Sequence, residues 1–279
     1  MSLGSLRSNL MIKKYNSHDK YSNLCIIASS LSALHKCNLV HGDFHSGNLL
    51  LQIHRYIFIS DLGLSRPVNK LIESNEIYGV LPYIAPEVLR GETYTKAADI
   101  YSFGIIMWEM FFGVAAFNNI PHDFDLSLDI CQGLRPEIVI LSNDSLDDDE
   151  QDTEAEYIKL MKRCWDSDPD KRPTVDEICK CFDSWNKKHP YNDERIPIPE
   201  NKPIIQNNHP STCYTSRKID YSAKLNEILN QGELSSIILT DNNRTMLTEN
   251  FECCKISSSK IDSVQEFNDE ETEFDEYQI

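Results

Sequence analysis

The chain is poor in positive charge. Its 279 residues carry 27 Lys and Arg against 44 Asp and Glu, a formal net charge of −17. Nucleic acid and anionic membrane surfaces repel such a chain, so neither is expected as a partner. It also lacks any run of 18 apolar residues and any charged-then-apolar signal pattern at its N-terminus, which excludes a membrane-spanning helix of the usual length. Nine cysteines are present without paired metal-binding spacing. Cys179 and Cys181, and the adjacent Cys253 and Cys254, sit too close together for a zinc knuckle. They read as free thiols in a reducing compartment. The cytoplasm is the default location on that ground, with the nucleus as the alternative. No internal repeat is visible.

The charge that is present is unevenly spread. Residues 1–189 carry 19 basic and 27 acidic side chains, whereas 190–279 carry 8 and 17 in about half the length. Pro190, Pro197, Pro199, Pro203 and Pro210 punctuate the start of the second segment. The last 18 residues hold eight acidic and no basic side chains. The expected organisation is a folded domain over 1–189 followed by a mostly disordered acidic tail over 190–279, with one amphipathic helix at Leu225, Ile228, Leu229 and Leu234. What the tail binds is not specified. A second acidic stretch, Asp144 to Asp152, reads as a solvated loop insertion, since the glycine and spaced ligands of an EF-hand are missing.

Within 1–189 the apolar pattern is helical. Leu6 and Leu10 suit a short helix. Leu24, Ile27, Leu31 and Leu34 make one stripe that ends at His35-Lys36-Cys37-Asn38, basic residues and an Asn where a C-terminus favours them. A polar loop follows, His41-Gly42-Asp43-Phe44-His45-Ser46-Gly47-Asn48. Leu49-Leu50-Leu51 and Tyr56-Ile57-Phe58-Ile59 then read as two short strands, and Asp61-Leu62-Gly63 comes directly after them. Leu64 to Tyr78 has little periodicity and reads as a long loop. An Asp able to accept a hydroxyl proton, then an Asn and a second Asp able to hold Mg²⁺, meet the needs of phosphoryl transfer. Taken singly, each is more simply a turn-former or a helix cap.

Together and in this order they resemble the catalytic loop of the protein kinases, His-Arg-Asp-x-x-x-x-Asn followed by Asp-Phe-Gly. They also resemble the His-Gly-Asp loop of small-molecule kinases such as the aminoglycoside phosphotransferases. Three later motifs favour the protein kinases: Ala85-Pro86-Glu87, Asp99-Ile100-Tyr101-Ser102-Phe103-Gly104 opening an apolar helix, and Asp168-Pro169-Asp170-Lys171-Arg172-Pro173-Thr174. Thr174 and Glu177 are spaced as a capping box for one more helix. Cys164-Trp165 leans toward tyrosine kinases and the tyrosine-kinase-like serine/threonine group. The resemblance covers roughly residues 4–186.

The resemblance implies an α+β fold: a mainly α-helical large lobe with a small β-hairpin at the catalytic loop. It implies ATP and Mg²⁺ as cofactors, a protein substrate, and a place in intracellular signalling. By the same resemblance Asp43 and Asn48 are catalytic, Asn48 and Asp61 hold Mg²⁺, and Leu50 lies under the adenine. His41, Glu87, Asp99 and Arg172 are structural, with Arg172 pairing Glu87 and Asp99 bonding the catalytic-loop backbone. The departures are Gly42 for Arg, His45 for Lys, Leu62 for Phe and Val80 for Thr. Nothing before Asp43 resembles the glycine-rich phosphate loop, the strand Lys or its partner Glu. The chain resembles a truncated kinase domain, expected by itself to bind Mg-ATP weakly or not at all. The alternative of a different class is a non-catalytic kinase lobe that acts as a binding or scaffold module.

Overall fold

The structure is a computed structural model that describes residues 2–10, 17–52, 57–68, 76–139, 148–189 and 208–231. In chain order the elements are β1 (Ser2–Ser5), α1 (Leu6–Asn9), α2 (Ser17–Lys36), β2 (Leu39–Val40), β3 (Leu49–Gln52), β4 (Ile57–Ile59), β5 (Arg66–Pro67) and β6 (Ile77–Gly79). They continue with α3 (Pro86–Leu89), α4 (Lys96–Phe112), α5 (Phe124–Cys131), α6 (Asp148–Cys164), α7 (Val175–Lys188) and β7 (Arg217–Ile219). A last helix, α8, runs over 222–231. The fold is α+β and mainly helical, as the resemblance implies.

Helix α4 is the centre. Thr95 caps it by accepting from the Ala98 N–H, and Gly113, in the left-handed region at φ 71°, ends it. Between these ends Ala98 to Met110 are buried without a break, as a helix running through a domain's middle requires. One consequence is steric. A Cβ on Gly104 would lie 2.8 Å from the Cβ of Cys164 on α6. The glycine of the Asp-x-Tyr-Ser-x-Gly motif therefore lets α4 and α6 touch. Gly104→Ala should cost about 1–3 kcal/mol by overpacking, read as a lower urea midpoint with an unchanged slope.

Around α4 the neighbouring helices each bury an apolar stripe, among them the one foreseen on α2, whose last member Leu34 is only half-buried. Leu24, Ile27 and Leu31 of α2 face inward, as do Tyr157, Leu160, Met161 and Cys164 of α6 and Val175, Ile178, Phe182 and Trp185 of α7. α2 stops at Lys36 and Asn38 takes φ 60°, a left-handed conformation that Asn tolerates. The capping box at Thr174 and Glu177 is formed in both directions. The acidic stretch differs from its reading as a loop. Residues 148–152 open α6, where the positive end of the helix dipole favours carboxylates; residues 144–147 lie outside the described residues.

The sheets are small. β1, β3 and β4 form an antiparallel sheet in the order β1-β3-β4, with Leu49 opposite Ile59 and Leu51 opposite Ile57. β2 pairs β5, which ties the chain entering the polar loop to the segment after Asp61. β6 pairs β7. Within residues 208–231, assigned to the tail from composition, the strand β7 was not expected, whereas α8 is the expected amphipathic helix as far as residue 231, with Leu234 outside the described residues; Ile219 and Leu225 are buried. The rest of the expected tail lies outside the described residues. Among the described residues the seven cysteines are all free, and no helix is long and apolar enough to cross a membrane.

Candidate active site

The loop from His41 to Asn48 is held from below by one carboxylate. Asp99, in the first turn of α4 and 2% exposed, accepts the His41 N–H at 2.8 Å on Oδ2 and the Gly42 N–H at 3.1 Å on Oδ1. His35 Nε2 meets the same Oδ2 at 2.9 Å. A buried carboxylate with partners on both oxygens is a rigid post. Gly42 takes φ 77°, and a Cβ there would lie 3.0 Å from the Leu64 carbonyl oxygen. The Gly that replaces the expected Arg is therefore a conformational necessity of this loop.

His41 joins the two halves of the site. Its Nδ1 accepts the Asp43 N–H at 3.3 Å, and its Nε2 lies 3.2 Å from the Ser60 carbonyl oxygen, to which it donates. Burial, the largest influence, lowers the pKa of this imidazole, so the neutral ring with one donor and one acceptor is the form that fits. The ring thereby links the backbone of Asp43 to the residue just before Asp61. Asn48 O accepts both the N–H and the hydroxyl of Ser60, at 2.8 and 2.9 Å, which closes the hairpin behind them.

Asp43 is 6% exposed. Burial pushes its carboxyl up, but the facing His45, the Ser216 hydroxyl and the nearby His41 outweigh it, and the pKa lies below the ordinary carboxylate value. Asp43 is an anion at neutral pH. Asn48 Nδ2 donates to the Asp43 carbonyl oxygen at 2.9 Å. Asp61 is exposed, sits in the left-handed region at φ 58° and accepts the Gly63 N–H at 3.3 Å. Leu50 is 37% exposed on β3, near Phe58 opposite it on β4 at 52%; Leu62 is 55% exposed.

The donor set suits Mg²⁺. Asn48 has its amide nitrogen committed, so its oxygen is the end left for a cation, and Asp61 supplies an exposed carboxylate; both are hard oxygen donors. No group of three or more His, Cys, Asp or Glu able to hold a metal occurs among the described residues. An ion on Asn48 and Asp61 therefore depends on water and phosphate oxygens for its other positions, as Mg²⁺ commonly does.

Arg172 and Glu87 form a buried bidentate pair, Nη1–Oε1 and Nη2–Oε2 both 2.7 Å. Arg172 also donates to the Ala97 and Asp166 carbonyl oxygens at 3.0 and 2.8 Å.

Three features were not foreseen. His45, noted only as a departure from Lys, turns its Nε2 to within 3.6 Å of Asp43 Oδ2, while its Nδ1 accepts from the Gly47 N–H at 3.0 Å and lies 3.0 Å from Arg7 Nη2. Two donors on Nδ1 leave the ring proton on Nε2, facing the carboxylate. Beneath the loop, Ser46 Oγ lies 2.9 Å from the Tyr83 hydroxyl, which donates to the buried Glu109. Burial pushes the Glu109 carboxyl up. The third is Ser216 beside Asp43.

A probable serine/threonine-protein kinase of Dictyostelium discoideum is 34% identical over 152 residues, 54% of this chain and 10% of the relative. A putative serine/threonine-protein kinase/receptor of Acanthamoeba polyphaga mimivirus is 32% identical over 183 residues, 64% of this chain and 10% of the relative. A probable LIM domain-containing serine/threonine-protein kinase of Dictyostelium discoideum is 31% identical over 179 residues, 63% of this chain and 26% of the relative. The chain thus spans about a tenth to a quarter of the length of these curated relatives. Residues 1–182 match the protein kinase domain model, and the chain belongs to the protein kinase family.

Proposed function

We infer that this chain is the large lobe of an ATP-dependent protein kinase that transfers the γ-phosphoryl group to Ser or Thr hydroxyls of proteins. One observation carries the reading. Asp99 pins the backbone of His41 and Gly42, and His41 in turn ties Asp43 to Ser60, so the acceptor-side and metal-side carboxylates belong to one rigid frame. The choice of Ser and Thr over Tyr rests on the names of the relatives, all described as serine/threonine kinases.

In this reading Asp43 orients the acceptor hydroxyl and takes its proton. Its lowered pKa makes it a weak base, which suits a transition state in which the proton leaves late and alignment dominates. His45, with its Nε2 proton toward Asp43, keeps that carboxylate ionised and aimed. Asn48 and Asp61 would hold Mg²⁺, which would supply charge neutralisation to the phosphates. Leu50 offers an apolar surface for the adenine. Position and charge supply most of the rate, since little covalent work falls to the protein.

Asp43→Asn is the test. It keeps the size of the side chain and removes the proton acceptor. In the native polypeptide that carries this sequence, it should lower kcat for transfer to an added protein by about 10²- to 10⁴-fold with little change in KM for Mg-ATP. An Asp43→Asn protein with wild-type kcat would overturn the assignment and favour a lobe that acts by binding alone.

A further inference from the structure

Arg7 is far from the catalytic loop in sequence but reaches it in the fold. β1 pairs β3, the strand that leaves the loop, with Ser5 opposite Leu50, and α1 starts at the next residue. From α1 the Arg7 guanidinium sets Nη2 3.0 Å from His45 Nδ1, while its Nη1 donates to the Tyr214 carbonyl oxygen. Its carbon centre lies 5.6 Å from the Tyr83 ring centroid and 5.1 Å from that of Tyr214. The Tyr83 ring also stands against the His45 ring, with centroids 5.7 Å apart. A guanidinium has donors and no acceptor, so at this contact Arg7 donates and Nδ1 accepts. Bonds from two nitrogens and contact with two rings fix the plane of the fork.

The contact depends on Gly47. A Cβ there would lie 2.8 Å from both Nδ1 and Cε1 of His45 and 2.9 Å from Arg7 Nη1. Any side chain at this position would part the guanidinium from the ring. The Gly47 N–H takes the other share of Nδ1, at 3.0 Å. Arg7, Gly47 and Tyr83 thus set the ring from three sides, with its proton on Nε2. That nitrogen is 3.6 Å from Asp43 Oδ2, close enough to attract the carboxylate but longer than a hydrogen bond. The N–H is therefore aimed beside Asp43 without being committed to it. A donor oriented before the reaction, next to the group that holds the acceptor, stabilises charge on an oxygen of the transferring group.

We propose that Arg7 is a positioning residue for phosphoryl transfer, acting through His45, whose Nε2–H it turns toward an oxygen of the phosphoryl group in flight. The acceptor oxygen bonds to the γ-phosphorus, the bond from that phosphorus to the β,γ-bridging oxygen breaks, ADP leaves, and the acceptor's proton passes to Asp43. His45 keeps its own proton throughout and contributes one hydrogen bond. The inference rests on the kinase reading, and its test separates the two.

A double-mutant cycle in the native polypeptide is the test. His45→Ala should lower kcat about 10²-fold, the scale for one preorganised donor. Arg7→Met should lower it about tenfold, the scale for a partner that orients such a group, with little change in KM for Mg-ATP. In a His45→Ala background Arg7→Met should have no further effect, because its action passes through the ring. Affinity gives a readout apart from turnover: Arg7→Met should weaken binding of Mg-ADP with aluminium fluoride, a mimic of the transferring group, about tenfold and leave Mg-ADP alone unchanged. In the wild type, ¹⁵N spectra of labelled histidine should show His45 with a bare Nδ1 and a protonated Nε2, its signals identified by their loss in His45→Ala. A proton on Nδ1, wild-type kcat in Arg7→Met, or an equal tenfold loss with and without His45 would each overturn the inference. If Asp43→Asn is inactive in the same assay, the kinase reading survives that outcome; if Asp43→Asn also keeps its kcat, both fall.

Discussion

Asp61→Ala is expected to lower the rate of phosphoryl transfer by on the order of 10³-fold, the scale for loss of one preorganised electrostatic group in an active site. Asp61 is exposed at the end of β4, where its side chain accepts from the Gly63 N–H in a local turn, so little of the fold depends on it. Its partner Asn48 is one neutral amide, which cannot hold Mg²⁺ without a carboxylate against competition from water. The variant should therefore lose its dependence on Mg²⁺ concentration, with a loss of stability of only about 1–2 kcal/mol for an Ala in the left-handed conformation at φ 58°. This separates it from Asp43→Asn, which should keep metal binding and lose kcat. Retained Mg²⁺-dependent transfer in Asp61→Ala would remove this residue from the site.

Arg172→Ala should have the largest effect on stability, about 3–5 kcal/mol. Both partners of the pair with Glu87 are buried, and the guanidinium also satisfies the carbonyl oxygens of Ala97 and Asp166. Removal leaves a carboxylate and two carbonyl oxygens without this partner inside the protein. Against a total of about 5–15 kcal/mol for a domain, that loss approaches unfolding. Arg172→Lys should recover only part of it, because an ammonium cannot make two parallel bonds to one carboxylate. The double variant Arg172→Met with Glu87→Leu should recover most, since it removes the charge and its counter-charge together. Urea midpoints of the four proteins check the order. A single Arg172→Ala variant as stable as the wild type would mean that the pair contributes nothing.

Much of the fold was legible because it depends on local signals that repeat. The stripe of α2, the capping box of α7 and the all-round apolar run of α4 each state their structure in a few neighbouring residues. The hairpin of β3 and β4 was likewise written in Leu49-Leu50-Leu51 and Ile57-Phe58-Ile59. Parts of the site were legible for a different reason: Asp99 with the loop backbone and Arg172 with Glu87 were expected from motif resemblance, not from spacing. What was not legible depends on distant partners. Nothing next to His45 says that Arg7 will bind its Nδ1 or that its Nε2 will face Asp43. Segment 208–231 was legible only in its helix, where Leu225, Ile228 and Leu229 fall at helical spacing. Its strand was hidden: β7 follows a proline-punctuated stretch, buries Ile219 alone and pairs with β6 through the main chain, which leaves no periodic trace. Residues 148–152 misled in the same way, since an acidic run describes a solvated loop and a helix N-terminus equally well.

The measurement that tests the central claim most directly is phospho-amino-acid analysis. The native polypeptide is incubated with radiolabelled ATP and Mg²⁺ in the presence of an added protein and, in parallel, of an aminoglycoside and choline. A serine/threonine kinase built on Asp43, Asn48 and Asp61 yields phosphoserine and phosphothreonine in the protein fraction and no label on the small molecules. Label on a small molecule alone, phosphotyrosine alone, or no Mg²⁺-dependent label at all would contradict it.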